Sequence, residues 1–187
     1  MMLRPVLACI LCVSSAALAC AQKHPVQVSG AEEEKIRDAA AEPALRVSVF
    51  QAIIETRIRR IQGILADKRA QGRREDIAQN LQEISGLVDE MQDNLDEYDQ
   101  AHRDLRKPLP KLLDAIPRWE SVLKQLPSDT SYNLTRTLAL EAIADVKQDA
   151  TEMQQQEAAY FKAHPPDKNA NPGGVGPVSP QGAEHLH

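Results

Sequence analysis

Residues that could hold a metal ion are sparse in this chain, and one pair has suitable spacing. Asp99 and His102 are three positions apart, which would place a carboxylate and an imidazole on one face of a helix. Di-metal helical bundles use Glu-x-x-His on each of two helices, with further glutamates. Here the pair occurs once, with the shorter Asp, and His102 falls on an apolar stripe. We therefore expect no cofactor, and Asp99 and His102 are the candidate ligands if a metal binds.

The three cysteines lie within the first twenty residues. Cys9 and Cys12 have the Cys-x-x-Cys spacing of redox and metal sites. Both lie inside a short apolar run that follows Arg4 and ends in Ala17-Leu18-Ala19. A positive residue, an apolar run and a small-x-small end are the pattern of an export signal, so residues 1–19 are predicted to be removed. The Cys-x-x-Cys spacing is then a coincidence of small apolar residues.

Cys20 stands directly after the predicted cut, which resembles a bacterial lipoprotein signal. The chain departs from that pattern at Ala17, where the signal usually carries a larger aliphatic residue. A cut after Ala21 would instead discard Cys20. We expect an extracytoplasmic protein, periplasmic or secreted, whose only membrane contact would be a lipid on Cys20.

Composition indicates helices. Aromatic residues make up 3% of the 187 residues, while Ala, Leu, Gln, Glu and Arg are plentiful. The formal net charge is −5, which suits a soluble protein and argues against nucleic acid as a partner. The chain is long enough for one domain with a leader and a tail.

Apolar residues recur at helical spacing through the middle of the chain. The clearest stripe alternates steps of four and three over Ile77, Leu81, Ile84, Val88, Met91, Leu95 and Tyr98. Equivalent patterns predict an antiparallel, all-α bundle of three to four main helices over residues 43–163. Their predicted ranges are 43–71, 75–107, 110–126 and 129–162. In the last range the inner face is predicted to hold Leu134, Leu138, Ala142, Val146, Ala150 and Met153.

Opposite charges and a short turn predict that the first two of these helices form a hairpin. Residues 46–74 carry eight basic side chains against two acidic ones, and residues 75–101 carry nine acidic side chains and no basic one. Gly72 lies between the helices and can adopt the left-handed conformation that ends a helix. The charged faces should therefore lie side by side and help to set the register.

Prolines interrupt the stripe after Tyr98. Its phase continues through His102 and Leu105 to Leu126, although Pro108, Pro110 and Pro117 lie inside that span. A proline inside a helix removes a backbone hydrogen bond and costs about 3 kcal/mol. Two structures are consistent with the pattern, a break near residues 107–109 with a new helix from Pro110, or one long bent helix. The two close prolines favour the break.

The ends of the chain carry weaker patterns. Residues 20–42 are predicted to be a linker and a marginal short helix, begun by a Ser29-x-x-Glu32 capping box. Residues 164–187 are rich in Pro, Gly and Asn without periodicity, which predicts a disordered tail. His185 and His187 in that tail have no fixed geometry for a metal.

Functional motifs are mostly absent. The sequence has no Gly-rich phosphate loop, no Gly-x-Ser-x-Gly and no His-Glu-x-x-His. Catalysis is therefore not expected. We expect a non-enzymatic structural or protein-interaction module of a bacterial cell envelope, with a protein partner. The alternatives are a periplasmic carrier or metal-binding bundle, and an envelope chaperone or stress sensor. Trp119, the single Trp, is predicted to anchor the core.

Overall fold

The computed structural model describes residues 28–67, 69 and 71–165. This part of the chain contains helices and turns and no strand, so the predicted all-α class is confirmed. None of its helices is both long and apolar enough to cross a membrane. The predicted signal peptide, Cys20 and the tail beyond residue 165 lie outside the described residues. The five helices are α1 Gly30–Asp38, α2 Pro43–Ala66, α3 Arg73–Gln100, α4 Pro108–Lys124 and α5 Asn133–Ala163.

The helices are shorter than their predicted ranges at four ends, one of which is the end of α4 at Lys124 rather than 126. At the other three, side chains or backbone angles in the turns explain why. After α2, Asp67 is extended and its side chain accepts the N–H of Arg69. Beyond α3, His102 has a φ of 49°, which ends the helix at Gln100 rather than 107. Before α5, Asp129 accepts hydrogen bonds from the backbone N–H and hydroxyl of Ser131, so this helix begins at Asn133 rather than 129.

The chain breaks between α3 and α4, as the prolines predicted. The new helix begins at Pro108 rather than at Pro110, because a proline in the first turn needs no hydrogen-bond partner for its nitrogen. Leu105, Leu109 and Leu112 are fully buried, but His102 is exposed. The four-three spacing placed His102 on the apolar stripe, and this prediction was wrong because His102 lies outside any helix.

The four longer helices form two hairpins. In the first, α2 and α3 are antiparallel and are joined through Gly72, whose φ of 67° is left-handed as expected. Gly72 lies directly before α3, however, and does not end α2, which stops at Ala66. In the second, α4 and α5 are antiparallel, with Lys147 of α5 3.0 Å from Glu120 of α4. The opposite charges of the first hairpin meet at Arg57 and Glu83.

Neighbouring helices from different hairpins run parallel. Arg74 at the start of α3 pairs with Asp129 just before α5, at 2.9 Å. At the other end, the N–H of Leu105, past the end of α3, donates to Glu157 near the end of α5. Since α2 contacts α4 and α3 contacts α5, the connection from α3 to α4 crosses the bundle diagonally. The predicted antiparallel order therefore holds within each hairpin and not between them.

The core lies where the four long helices meet. All seven residues of the predicted stripe from Ile77 to Tyr98 are buried. The inner face predicted for α5 is wrong at its start, because Leu134 is 73% exposed and Leu138 is 48% exposed. Small residues take the core positions there. The buried face of α5 holds Ala139, Ala142, Ile143, Val146, Ala150 and Met153.

Candidate functional site

The two candidate metal ligands do not share a helix face. Asp99 lies in the last turn of α3, whereas His102 lies beyond its end with a left-handed backbone. They are joined by a backbone hydrogen bond, from the N–H of His102 to the carbonyl of Asp99 at 3.0 Å. Within the described residues, no three His, Cys, Asp or Glu side chains are grouped so that they could hold a metal ion. The part of the chain that the structure describes therefore brings no further ligand to this pair.

The imidazole of His102 instead takes part in a stack of rings at the end of α5. It packs on Tyr160 with ring centres 4.2 Å apart, and His164 stacks on the same Tyr ring at 4.6 Å. Beside them, the guanidinium of Arg106 lies 4.3 Å from the ring centre of Phe161. These contacts hold the turn between α3 and α4 against the last turns of α5.

Glu157 lies just under this stack and is 4% exposed. Its carboxylate accepts the backbone N–H of Leu105 at 3.1 Å. The pKa of Glu157 is raised to about 7, first by burial and then by the nearby carboxylates of Asp104 and Asp99, against the effects of the Leu105 hydrogen bond and of Arg106. A group that titrates near neutral pH can exchange protons, but its burial keeps it from contact with a substrate.

A second buried polar cluster joins α1, α2 and α3. Arg57 is 2% exposed and its guanidinium donates to both carboxylate oxygens of Glu32, at 2.5 and 2.8 Å. Its Nε donates to Glu83 at 2.6 Å, and the other oxygen of Glu83 accepts from Gln79. The hydrogen bonds from Arg57 lower the pKa of Glu32 to about 2. Glu32 also caps α1 by accepting the N–H of Ser29. This cluster holds α1 against the first hairpin.

Sequence analysis missed this cluster, although a signal for it exists. Phe50, Ile54 and Ile61 are buried with the spacing of an inner face, and Arg57 falls on that same face. A basic residue in such a position requires a buried acidic partner. Periodicity does not identify that partner, because Glu32 and Glu83 are each about 25 residues away in sequence.

Trp119 lies in the core and is fully buried, as the sequence predicted. Its ring N–H donates to Glu55 at 2.9 Å, and Arg118 contacts the same carboxylate oxygen at 2.6 Å. Its partners therefore come from within the chain, and Trp119 offers no surface for binding.

The exposed large apolar side chains in the described residues are three leucines. Leu134 and Leu138 lie one turn apart on the outer face of α5, and Leu45 lies alone near the start of α2. An isolated exposed leucine is ordinary on a protein surface. Two on the same helical face form a small apolar patch, which we call the α5 leucine pair.

Three comparisons were made with known proteins, and none of the family models, curated proteins or solved structures matches this chain.

Proposed function

We propose that this chain is a non-enzymatic protein-interaction module of a bacterial cell envelope, and that it binds its partner through the α5 leucine pair. The observation that carries this proposal is the exposure of Leu134 and Leu138, at 73% and 48%. Both lie on a helix whose opposite face is already buried in the core. A partner that covered the exposed part of both side chains would gain about 2–4 kcal/mol from the burial.

The polar clusters favour binding over catalysis. Arg57 donates to two carboxylates inside the protein, and Glu157 is covered by the turn that follows α3. Catalytic groups must reach their substrate, whereas these two charged groups contact other parts of the same chain. They support a structural role for the ionisable residues of the core.

Crosslinking in the native host tests the proposed surface. A photo-reactive residue in place of Glu141, exposed just beyond Leu138, should give one covalent adduct of defined mass. The double change Leu134→Gln and Leu138→Gln should remove that adduct because it removes the apolar contact. The matched control is Leu45→Gln, an equally polar change at the leucine outside the pair. An adduct that persists in the double variant would contradict the proposal.

Export is a separate part of the proposal and has its own test. The support is the sequence pattern of residues 1–19, with Cys20 at the predicted cut. Intact-mass measurement of the protein from the membrane and periplasmic fractions should show a chain that begins at Cys20 or Gln22. A chain that retains Arg4 would overturn export, and an unmodified Cys20 would overturn the lipid anchor alone.

A further inference from the structure

An open groove of about 490 Å³ lies between the last turns of α2 and the first turns of α3. The residues that line it include Gly63 and Ile64 on α2 and Asn80 on α3. Because the two helices are antiparallel, Asp67 and Asp76 lie at the end of the groove beside the turn that connects them. The groove is separate from the α5 leucine pair, which lies on another helix.

Asn80 has a buried hydrogen-bond acceptor that nothing in the described part of the chain satisfies. The residue is 8% exposed, and its amide nitrogen donates to the backbone carbonyl of Asp76 at 2.7 Å. Its side-chain oxygen is buried and has no hydrogen-bond partner among the described residues. An unpaired buried acceptor is unfavourable, so its presence in the lining of a groove indicates a ligand with N–H donors.

The two ends of the groove carry free charges of opposite sign. Asp67 and Asp76 are exposed at the end beside the turn, and within the described residues neither carboxylate forms an ion pair. Arg60 is exposed about 10 Å along α2 from Asp67, and its guanidinium also forms no ion pair with the described residues. Glu83 lines the groove too, but both of its oxygens accept hydrogen bonds from other side chains. These charges suit a ligand with a cation at one end and an anion at the other.

The middle of the groove is apolar and unobstructed. Ile64 lines the groove and is partly buried against the core. Gly63 beside it presents no side chain, and a Cβ built there would meet nothing within 4 Å. Glycine is less favourable than alanine inside a helix, and neither packing nor a positive φ requires it at this position. An aliphatic segment of a ligand therefore has room here between the two charged ends.

We propose that this groove binds arginine with a free α-carboxylate, either as the free amino acid or as the last residue of a peptide. The guanidinium group donates to Asp76 and to the unpaired oxygen of Asn80, since its planar fork of five N–H groups can contact both acceptors at once. The methylene groups pack on Ile64, and the α-carboxylate pairs with Arg60. A diamine fits less well, because its second cation would lie beside Arg60.

The length of arginine agrees with this orientation. Extended arginine spans about 7 Å from the guanidinium carbon to the carboxylate carbon. An ion pair adds up to about 4 Å at each end. Positions 60 and 76 lie about 13 Å apart, since they differ by about 10 Å along the helix axes and by about 8–10 Å between the axes. The ligand and its two ion pairs therefore bridge the groove diagonally, from α3 at Asp76 to α2 at Arg60.

Titration of the full chain with L-arginine, followed by nitrogen-15 NMR of the side-chain amides, tests the proposal. The amide of Asn80 should shift saturably, with a dissociation constant of about 0.1–1 mM for so small a ligand in an open groove. Citrulline, which has the shape of arginine but a neutral end group, should bind about 10-fold more weakly. Equal affinity for arginine and citrulline would overturn the proposal, as would an unshifted Asn80 amide at about 10 mM arginine.

The orientation of the ligand is tested with agmatine, which has the guanidinium group and lacks the α-carboxylate. Arg60→Gln should weaken arginine about 10-fold and should not weaken agmatine, whereas Asp76→Asn should weaken both about 10-fold. The matched controls are Arg59→Gln and Glu75→Gln, exposed neighbours that do not line the groove, and each should change both affinities by less than about 2-fold. Equal weakening of arginine and agmatine by Arg60→Gln would contradict the pairing of Arg60 with the carboxylate.

Filling the groove tests its location. Gly63→Leu should abolish the binding of arginine, and the fold should persist because leucine is a better helix former at this exposed position. Gln62→Leu is the control, since Gln62 is exposed on the same helix but does not line the groove. Unchanged arginine affinity in Gly63→Leu would overturn the site.

The dipeptide glycyl-arginine distinguishes the two sources of the ligand. Tighter binding of the dipeptide than of arginine would identify the end of a peptide as the ligand, and weaker binding would identify the free amino acid. In both cases Asp76→Asn should weaken the better ligand about 10-fold. Binding of either compound that Asp76→Asn leaves unchanged would overturn the assigned guanidinium contact.

Discussion

Glu32 and Glu157 each hold a peripheral segment against the bundle, and their pKa values move in opposite directions. The pKa of Glu32 falls to about 2 because Arg57 donates two hydrogen bonds to it. The pKa of Glu157 rises to about 7 because it is buried with one backbone donor and two carboxylates nearby. Burial alone therefore does not set the sign. Burial acts to raise the pKa of both carboxyl groups, and at the partly buried Glu32 the hydrogen bonds from the charged Arg57 outweigh it.

The regions around Glu32 and Glu157 should consequently respond to different pH ranges. Glu32 has a folded pKa below its unfolded value of 4.5, so its contribution to stability is complete above pH 4.5 and is lost as the pH falls towards 2. Glu157 has a folded pKa above 4.5, so its contribution is complete below pH 4.5 and is lost as the pH rises through 7. The stability of the protein should therefore be highest near pH 5.

The largest expected effect comes from removing Arg57, the buried cation that lowers the pKa of Glu32. Arg57→Met should lower the free energy of unfolding by about 3–5 kcal/mol, because it leaves Glu32 and Glu83 without their buried partner. Chemical denaturation at pH 7 measures the change. The control is Arg59→Met on the same helix, where the side chain is exposed and the loss should stay below about 0.5 kcal/mol. Equal losses in the two variants would mean that the loss comes from replacing any arginine of α2 and not from breaking the buried ion pairs of Arg57.

A smaller loss is expected when the anion of the same pair is neutralised. Glu32→Gln should cost about 2–3 kcal/mol at pH 7, since a hydrogen bond to a charged group contributes roughly that much. The variant should also lose the fall in stability that the unchanged protein shows from pH 4.5 to pH 2. Denaturation curves across that range provide the measurement, with Glu33→Gln as an exposed control in the same helical turn. An unchanged acid profile would contradict the role given to Glu32.

The opposite sign is expected at Glu157. Glu157→Gln should raise the free energy of unfolding by about 1–2 kcal/mol at pH 8, because the variant avoids burying a charge while its side-chain oxygen still accepts from Leu105. The gain should disappear below pH 4.5, where Glu157 is protonated in both the folded and unfolded states. Thermal unfolding at pH 4 and pH 8 would show the difference. A gain of equal size at both pH values would rule out titration of Glu157 as its cause.

The smallest effect belongs to a carboxylate that is paired at the surface. Glu120 lies between Lys124 and Lys147, which lower its pKa, but both lysines are largely exposed. Lys147→Ala should change the free energy of unfolding by less than about 1 kcal/mol, and less still in high salt. A loss as large as that of Arg57→Met would show that burial is not what makes the Arg57 pair strong.

Local sequence determined the elements that depend on neighbouring residues. The stripe from Ile77 to Tyr98 identified the buried face of α3, and the Ser29 and Glu32 capping box forms as expected. Gly72 adopts the left-handed conformation that its position in the turn required. These features follow from helical periodicity and from hydrogen bonds within one turn. Both depend only on residues that are close together in sequence.

Only the tertiary structure decided features that depend on distant residues. Periodicity favoured Leu134 and Leu138 as core residues of α5, but both are exposed, and Ala139, which the predicted face did not include, is buried instead. The partners of Arg57 and Glu157 lie about 25 to 52 residues away in sequence. The spacing of apolar residues in the sequence specifies which face of a helix is apolar. It does not specify which other helix packs against that face. The pKa of a buried group depends on that covering helix, so it becomes visible only when the bundle is assembled.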